Sequence, residues 1–245
     1  MEWNRTAAIV AGTVILAIPL TFILRREAYD PVKRIIDLAF SGLAALLLSP
    51  IILAASLAIK LDSKGPVFYP ADRVGAKGRR IKVWKLRTMV TDADRDGRIT
   101  RGNDVRITRV GRVLRATKID ELPQLFNIIV GTMSIVGPRP ESANLVERHY
   151  AQKDAELFEI APGLTCPGTL YYYIYDEDNQ APPGVSAEDY YAEVSLRTKL
   201  AADLHYVRHR CLAYDIKLIV LTAVLIVSKW LGRRPQWLPD NMRDR

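Results

Sequence analysis

Two adjacent carboxylates, Asp120 and Glu121, lie within residues 118–124, where the sequence predicts that a helix begins. A helix N-terminus carries unpaired N–H groups and a partial positive charge, so it stabilises an ionised carboxylate and can bind a phosphate beside it. A carboxylate that attacks phosphorus forms an acyl phosphate, a reactive mixed anhydride that can transfer its phosphoryl group to an acceptor. An isolated aspartate at such a position is more often a simple N-cap of the helix, here predicted over residues 121–130.

Cationic side chains suited to phosphate surround this pair in the sequence. Arg139 lies between two prolines that fix the backbone around its planar guanidinium. Basic residues also recur at every third position from Arg106 to Lys118, a spacing that winds around a helix and forms no single face. We therefore expect several of these basic residues to contact solvent or lipid headgroups.

The composition indicates one soluble core combined with membrane-embedded segments. The chain has 245 residues, of which 49% are hydrophobic and 25% charged, with a formal net charge of +8. That charge suits an anionic partner such as nucleic acid, an anionic lipid surface or a phosphorylated substrate. The long uncharged stretches and the lack of a recognition motif argue against nucleic acid. Two cysteines, Cys166 and Cys211, are too few for a disulfide framework and favour a reducing cytosolic setting.

The first apolar segment, residues 7–24, is predicted to be an N-terminal transmembrane anchor within residues 1–30. It contains eighteen uncharged residues, which as a helix would reach about 27 Å and span the hydrocarbon core. Arg25 and Arg26 follow it in place of a small-residue cleavage site, which disfavours a signal peptide. By the positive-inside rule these arginines place the C-terminal end of the anchor in the cytoplasm.

The second apolar segment, residues 38–59, is long enough to span a membrane, but its flanks predict that it enters and leaves on one face. Basic residues at both ends favour the same side of the bilayer. Pro50 removes an N–H at the midpoint, and the Ser49 hydroxyl can bond the carbonyl that this leaves free. We therefore predict a re-entrant helix over residues 31–62, broken at Ser49-Pro50; a proline-kinked spanning helix is the alternative. The flanking residues are Lys33, Arg34, Lys60 and Lys64.

Residues 63–245 are predicted to form an α/β domain, mainly helical, on the cytosolic side. Short strands are predicted over residues 67–69, 81–84 and 133–136. Residues 187–212 are predicted to form an amphipathic helix, with an apolar face opposite a basic face that includes Lys199. This helix can pack on the core or lie at the membrane interface. A third apolar run, residues 218–228, is too short to span and allows the same two placements.

The order of these motifs resembles one family, the bacterial sugar transferases, also called monotopic phosphoglycosyl transferases. The resemblance covers residues 33 to about 141. Its blocks are Lys33-Arg34-Ile35-Ile36-Asp37, Ser49-Pro50, Ser63-Lys64-Gly65-Pro66-Val67, Arg73-Val74-Gly75, Lys85-Leu86-Arg87-Thr88-Met89, Asp104-Val105-Arg106-Ile107-Thr108, Asp120-Glu121-Leu122-Pro123-Gln124 and Gly137-Pro138-Arg139-Pro140-Glu141.

This resemblance implies a reaction and its partners. The family moves a sugar-1-phosphate from a nucleoside-diphosphate sugar, commonly a UDP-sugar, to a polyprenyl phosphate such as undecaprenyl phosphate. The transfer passes through a covalent aspartyl-phosphosugar intermediate and initiates surface glycan or exopolysaccharide synthesis. The implied location is the bacterial inner membrane, with the catalytic domain on the cytoplasmic face. A homo-oligomer is compatible with the sequence. A non-catalytic basic adaptor at the membrane surface is the alternative, and it would tolerate Asp120→Asn.

The resemblance also implies roles for individual residues. Asp120 is the implied nucleophile, and Glu121 resembles the Mg²⁺ ligand of the family. The residues implied in binding the substrate and its phosphates are Lys85, Arg87, Arg115, Arg139 and Glu141.

The sequence departs from the family pattern near the expected substrate-contact loops, so it leaves the sugar and the base open. Ala71-Asp72 stands where a Gln-Glu type pair is usual, and Cys166 stands where glycine is usual. Aromatic residues over 171–175 could stack on a base or sugar, but packing or membrane contact is the more common use of such residues.

Overall fold

The second apolar segment forms one long helix, α1 (Arg26–Asp62), in a computed structural model that describes residues 26–91, 93, 104–176, 182, 185 and 187–231. The anchor predicted over residues 7–24 lies outside these residues. Among the helices of the described ranges, α1 is the one that is long and apolar enough to cross a membrane. Its outward side chains include Leu46 and Leu61, which are 71% and 80% exposed. An apolar surface of this extent indicates membrane association.

The helical backbone of α1 continues through Ser49 and Pro50, so the predicted break does not interrupt the helix. Pro50 cannot donate to the carbonyl of Leu46. Ser49 Oγ instead donates to that carbonyl at 2.7 Å, which satisfies the acceptor locally. Helical structure therefore survives the proline, and the predicted re-entrant path stays a prediction.

A β-hairpin follows α1. Strands β1 (Phe68–Val74) and β2 (Arg80–Leu86) pair antiparallel, with Phe68 opposite Leu86 and Val74 opposite Arg80. Both strands are longer than predicted, because charged residues and Pro70 interrupt the apolar alternation from which a strand is predicted. The turn contains Gly78 at φ 69°, a left-handed conformation that glycine adopts without strain.

The carboxylate pair lies in a tight turn and not at the N-terminus of a long helix. Helix α2 (Arg109–Thr117) ends at Lys118, whose φ of 60° turns the chain into a single 3₁₀ turn over Ile119–Glu121. Helix α3 is shorter than predicted and spans Gln124–Ile129. The prediction that one helix begins at the carboxylate pair and continues to residue 130 is therefore wrong, because the left-handed residue starts a separate turn that contains both carboxylates.

The remaining elements confirm a mainly helical domain with small sheets. Strand β3 (Ser134–Val136) pairs in parallel with β4 (Gly163–Thr165). Glycine is required at this crossing, because a Cβ on Gly163 would lie 2.2 Å from the Gly137 nitrogen. The other helical segments are α4 (Ala143–His149), a 3₁₀ segment (Gln152–Phe158), α5 (Pro167–Tyr171), a π-helical turn (Tyr172–Asp176), α6 (Ala187–Tyr191), a second π-helical turn (Ala192–Leu196), α7 (Arg197–His209) and α8 (Leu212–Trp230).

An apolar cluster packs the carboxylate turn directly against α1. Ile52, Ala55 and Ile59 of α1 are buried with Leu86 and Leu114, and two residues of the turn region pack on this cluster. These two are Ile119 and Leu122. Burial of side chains of this size contributes roughly 2 kcal/mol each. The depth of Asp120 relative to the membrane helix is therefore set by apolar packing.

Buried polar groups fasten the first half of α1 to the rest of the domain. Asp37 accepts from Ser134 Oγ at 2.6 Å and from the Ile135 N–H at 3.3 Å. Lys33 pairs with Asp215 at 2.9 Å and approaches Asp37 at 3.8 Å. The network thus links α1 to both β3 and α8.

A further contact joins α1 to the end of α3. The Arg34 guanidinium donates to the carbonyls of Ile128 and Ile129, which are among the last carbonyls of that helix and have no partner within it. The helix that follows the carboxylate turn is thereby held from its far end.

We predict that Asp37→Ala destabilises the protein by about 2–4 kcal/mol, because the Ser134 hydroxyl and the Ile135 N–H would remain buried without their acceptor. The free energy of unfolding in urea, measured in detergent micelles, tests this. Asp30→Ala is the matched control on the same helix. Its carboxylate is 64% exposed and 3.4 Å from Arg210, so its loss should cost less than about 1 kcal/mol. Equal losses of unfolding free energy in the two variants would contradict the role of Asp37 as a buried acceptor that fastens α1 to the domain.

Candidate active site

Asp120 is held in a buried environment at the centre of the 3₁₀ turn. Its residue is 7% exposed, and its Oδ1 has no hydrogen-bond partner within the described part of the chain. Burial, and then the charge of Glu121, raise the pKa of Asp120 to about 6, although Lys85, Lys118 and Arg115 oppose this. At neutral pH the carboxylate is therefore mostly ionised, and it is more basic than an ordinary aspartate.

Glu121 has a different environment from its neighbour. Lys85 Nζ lies 2.9 Å from its Oε1, and an Arg139 nitrogen lies 3.7 Å from the same oxygen. Burial would raise the pKa of Glu121, but the charges of Lys85, Arg139 and Lys118 outweigh it and hold that pKa well below its usual range. The two adjacent carboxylates thus differ in basicity, which is how one site gives two such groups different roles.

Separate elements deliver the cations to this turn. Lys85 comes from β2, and Arg139 comes from the proline-bounded segment after β3. Arg115 comes from the last turn of α2, where its Nε donates to Thr88 Oγ1 at 2.8 Å. Burial lowers the pKa of this guanidinium, while Asp120 raises it. The tertiary structure therefore brings Lys85, Arg115 and Arg139 together around Asp120 and Glu121.

Arg87 is placed differently from the other predicted phosphate ligands. It is buried, and its guanidinium donates to the carbonyls of Ser63 and Lys64 in the segment that follows α1. Its Nε has no hydrogen-bond partner within the described residues. The observed contacts fix the exit of α1 to β2, and phosphate binding by Arg87 stays a prediction.

Glu141 is engaged by the C-terminal helices. It accepts from the Tyr191 hydroxyl at 2.9 Å and from Lys199 Nζ at 3.1 Å. Burial would raise the pKa of Glu141, but Lys199, Arg139 and Tyr191 lower it to about 2. The Lys199 ammonium also contacts the Tyr191 hydroxyl. Glu141 is therefore an ionised anchor beside Arg139.

Sequence reasoning missed Lys199 and Tyr191 as members of this cluster. Lys199 was assigned to the basic outer face of its helix, yet it is 3% exposed. It lies three residues after buried Leu196 and four before buried Asp203, a spacing that places all three on one helical face. That spacing is the signal that indicates burial.

We predict that Lys199→Met destabilises the protein by about 3–5 kcal/mol, because it leaves the Glu141 carboxylate buried without its cation. The double variant Glu141→Gln/Lys199→Met should be more stable than Lys199→Met alone, since no buried charge is then left unpaired. Urea unfolding of both variants provides the measurement. Arg208→Met removes an exposed ion pair with Glu156 from the same helix and should change stability little. A double variant no more stable than Lys199→Met would rule out the pairing.

The sequence matches one family model and several known proteins of related function. A family model described as bacterial sugar transferase matches residues 28–229. A UDP-glucose:undecaprenyl-phosphate glucose-1-phosphate transferase of Klebsiella pneumoniae is 34% identical over 194 residues, which are 78% of this chain and 39% of that protein. A UDP-N-acetylgalactosamine-undecaprenyl-phosphate N-acetylgalactosaminephosphotransferase of Aeromonas hydrophila is 33% identical over 86% of this chain and 47% of its own length.

A relative of nearly the same extent is the exopolysaccharide production protein PSS of Rhizobium leguminosarum bv. phaseoli. It is 37% identical over 212 residues, which are 82% of this chain and 97% of that protein. The chain therefore spans less than half of the Klebsiella and Aeromonas relatives but nearly all of this one. Because the family model covers most of the chain, including the carboxylate turn and its cations, this protein belongs to the bacterial sugar transferase family.

Proposed function

We propose that this protein transfers a sugar-1-phosphate from a UDP-sugar to undecaprenyl phosphate, as a step that initiates exopolysaccharide or other surface glycan synthesis. The observation that carries the proposal is the buried Asp120, which has a raised pKa and lies beside Glu121 and several cations, and whose Oδ1 has no hydrogen-bond partner among the described residues. The names of the relatives support the substrate classes. They differ in the sugar, so the proposal leaves the sugar open.

In the first half-reaction, an Asp120 carboxylate oxygen attacks the sugar-bearing β-phosphorus. A P–O bond forms to Asp120, and the bond from that phosphorus to the bridging oxygen breaks. The nucleoside monophosphate leaves with the bridging oxygen and its electron pair. Arg139 and Lys85 both lie at Glu121, next to Asp120, so they would stabilise the charge that develops on the transferred phosphate.

In the second half-reaction, a phosphate oxygen of the lipid attacks the same phosphorus. The Asp120–phosphorus bond breaks, Asp120 is regenerated as a carboxylate, and a polyprenyl diphosphate sugar is formed. No proton needs to move, because the attacking and leaving groups are both anionic oxygens. The site therefore requires cations more than it requires a general base.

The carboxylate pair fits Mg²⁺, which the family resemblance implies. Mg²⁺ is commonly held by one or two carboxylates together with substrate phosphates and water, and the unpartnered Asp120 oxygen adjoins the ionised Glu121. The described residues contain no cluster of three or more His, Cys, Asp or Glu suited to a metal, so a site built entirely from protein side chains is not offered there. Glu121 would hold the ion, which would neutralise charge on the diphosphate.

The proposed arrangement in the membrane is that α1 is re-entrant and keeps the catalytic domain on the cytoplasmic face of the inner membrane. The exposed apolar side chains of α1, the proline at its middle and the basic residues at both ends support this path. A domain held at headgroup depth can reach both a soluble nucleotide sugar and a lipid-bound phosphate.

Asp120→Asn should abolish covalent labelling by a UDP-sugar that carries ³²P at the β-phosphate, since an amide is a poor nucleophile. The label on the wild-type protein should map to Asp120 and should require Mg²⁺, as tested with EDTA. Glu156→Gln, an equivalent change at an exposed ion pair, is the control and should label normally. Wild-type transfer with no adduct, under a quench that preserves acyl phosphates, would instead indicate direct attack by the lipid. Transfer that survives in Asp120→Asn would show that Asp120 is not the nucleophile, whereas a wild-type protein with neither adduct nor transfer would favour the adaptor interpretation.

Single cysteines at Asp30 and Lys64, near the two ends of α1, should both react only with maleimides admitted to the cytoplasm. Both positions are exposed, and a Cys166→Ser/Cys211→Ser background removes the native thiols. Whole cells labelled with a membrane-impermeant reagent, before and after permeabilisation, provide the measurement. Labelling of the two positions from opposite sides would show that α1 spans the bilayer.

A further inference from the structure

The Glu141 carboxylate is held through one of its two oxygens. The Tyr191 hydroxyl donates to Oε1 at 2.9 Å, and Lys199 Nζ donates to the same oxygen at 3.1 Å. The second oxygen, Oε2, has no hydrogen bond to a residue that the structure describes. It is not among the fully buried unpartnered atoms of those residues, so it is reachable from outside. A carboxylate with one oxygen fixed and the other open can accept a hydrogen bond from a ligand.

Glu141 adjoins the part of the site that would bind the transferred phosphate. It lies two residues after Arg139, whose guanidinium nitrogen is 3.7 Å from Glu121 Oε1. The Val74 N–H donates to the Glu141 carbonyl at 2.9 Å, which fixes the backbone after the proline-bounded segment. Burial would raise the pKa of Glu141, but Lys199 and then Arg139 lower it. The carboxylate and the guanidinium therefore lie close enough to contact neighbouring groups of one substrate.

Two tyrosine rings lie beside this carboxylate. Tyr172 and Tyr191 pack edge to face, with ring centroids 5.7 Å apart and an angle of 81° between the rings. Lys199 Nζ, the donor to Glu141, lies 5.3 Å from the Tyr172 centroid and 4.7 Å from the Tyr191 centroid. A carboxylate next to aromatic rings suits a sugar, because a sugar offers hydroxyl donors at its rim and an apolar C–H face.

The aromatic cluster also adjoins the carboxylate turn. Its π-helical turn, Tyr172–Asp176, includes Tyr173. Lys118 Nζ lies 3.9 Å from the centroid of the Tyr173 ring, and Lys229 Nζ lies 5.1 Å from it. Lys118 immediately precedes the 3₁₀ turn that contains Asp120. One short π-helical turn, a structure often found at functional sites, therefore connects the nucleophile to the rings beside the open carboxylate oxygen.

The open oxygen of Glu141 is suited to a hydroxyl and not to a phosphate. An ionised phosphate offers no donor, and two like charges in contact repel each other. The transferred sugar offers several hydroxyls, and it is bonded to the phosphorus that Asp120 attacks in the proposed reaction. The ribose of the nucleotide lies one phosphate further away. A hydroxyl that donates to a carboxylate forms a strong, charge-assisted hydrogen bond.

We infer that Glu141 is a specificity-determining residue, which accepts a hydrogen bond from a hydroxyl of the transferred sugar through Oε2 while Tyr191 and Lys199 hold Oε1. This inference rests on the proposed function. It separates Glu141 from the phosphate ligands with which the sequence groups it: Arg139 contacts the transferred phosphate, and Glu141 contacts the sugar attached to that phosphate.

The test compares UDP-hexoses with analogues that lack one sugar hydroxyl at a time. A panel that includes UDP-glucose and UDP-N-acetylgalactosamine identifies the hexose that the wild-type protein transfers to undecaprenyl phosphate in nanodiscs. For that hexose, one analogue should lower kcat/KM by about 10- to 100-fold, as expected for the loss of one hydrogen bond to a charged group. A wild-type protein that transfers every analogue as well as the parent sugar would overturn the inference.

Replacement of Glu141 should remove this discrimination. In Glu141→Gln, Lys199 is a pure donor and holds the amide oxygen at the Oε1 position, so the amide nitrogen replaces the acceptor at Oε2. The parent and the analogue should then have nearly equal kcat/KM values. Glu141→Leu/Lys199→Met repeats the measurement without an unpaired buried ammonium, in case the single variant fails to fold. Glu147→Gln, whose carboxylate is 70% exposed and paired with Arg80, should discriminate as the wild type does.

Each variant is compared with itself on two substrates, so a general loss of activity cancels from the ratio. A penalty that persists in the Glu141 variants would rule out the contact. UDP-hexoses with 2′- or 3′-deoxyribose separate the transferred sugar from the ribose. A Glu141-dependent penalty with these analogues, and none with the hexose analogues, would assign Glu141 to the ribose and overturn the inference. Absence of transfer from every UDP-hexose would contradict the proposed function itself, whereas transfer with an unchanged ratio contradicts only the role of Glu141.

Discussion

Burial of two adjacent carboxylates in one turn is the constraint on which the rest of this structure depends. Asp120 and Glu121 lose much of their hydration, and their charges repel each other. Such a pair is tolerated only where surrounding cations offset the lost hydration. Those cations come from four places in the chain: β2, the end of α2, Lys118 and the segment after β3. The small hairpin and the short parallel sheet matter chiefly because they deliver Lys85 and Arg139.

The same turn must also lie at a fixed position relative to the membrane helix. Apolar residues of the second half of α1 pack beneath the turn, while polar groups of its first half bind β3, α3 and α8. The two halves of α1 therefore use different interactions to hold the same domain. Apolar contacts are not directional, so they fix how closely the carboxylate turn packs on α1 but not how it is oriented. The buried hydrogen bonds of Asp37 and Arg34 set orientation.

The C-terminal helices are part of the site rather than an appendage to it. Lys199 of α7 neutralises Glu141, the residue that follows the Arg139 segment, and Tyr191 at the end of α6 completes that contact. α8 reaches the opposite part of the site through Lys229 and Tyr173. Segments about 70 to 110 residues after Asp120 thus control the environment of the cations around it.

The sequence by itself determined the family, the carboxylate pair and most of the cations, because these residues lie in short motifs whose order along the chain can be recognised without knowledge of the fold. It also predicted the long apolar helix α1, because a long uncharged run is typical of a membrane segment. The short strands are predicted only approximately, because charged residues and a proline interrupt the period-two pattern of the hairpin.

Only the tertiary structure decided which charges are buried and paired. Local pattern predicts that a helix begins at the carboxylate pair, but the left-handed Lys118 makes a separate turn, and backbone conformation at one residue is not visible in hydrophobic periodicity. The amphipathic pattern places Lys199 on the basic face of its helix, yet this lysine lies inside because Glu141, distant in sequence, supplies its counter-charge. Arg87 is predicted to bind phosphate, and the fold adds two contacts that no motif indicated, with the carbonyls of Ser63 and Lys64 after α1. Ion pairing between segments far apart in the chain leaves no periodic signal, so only the packed fold reveals it.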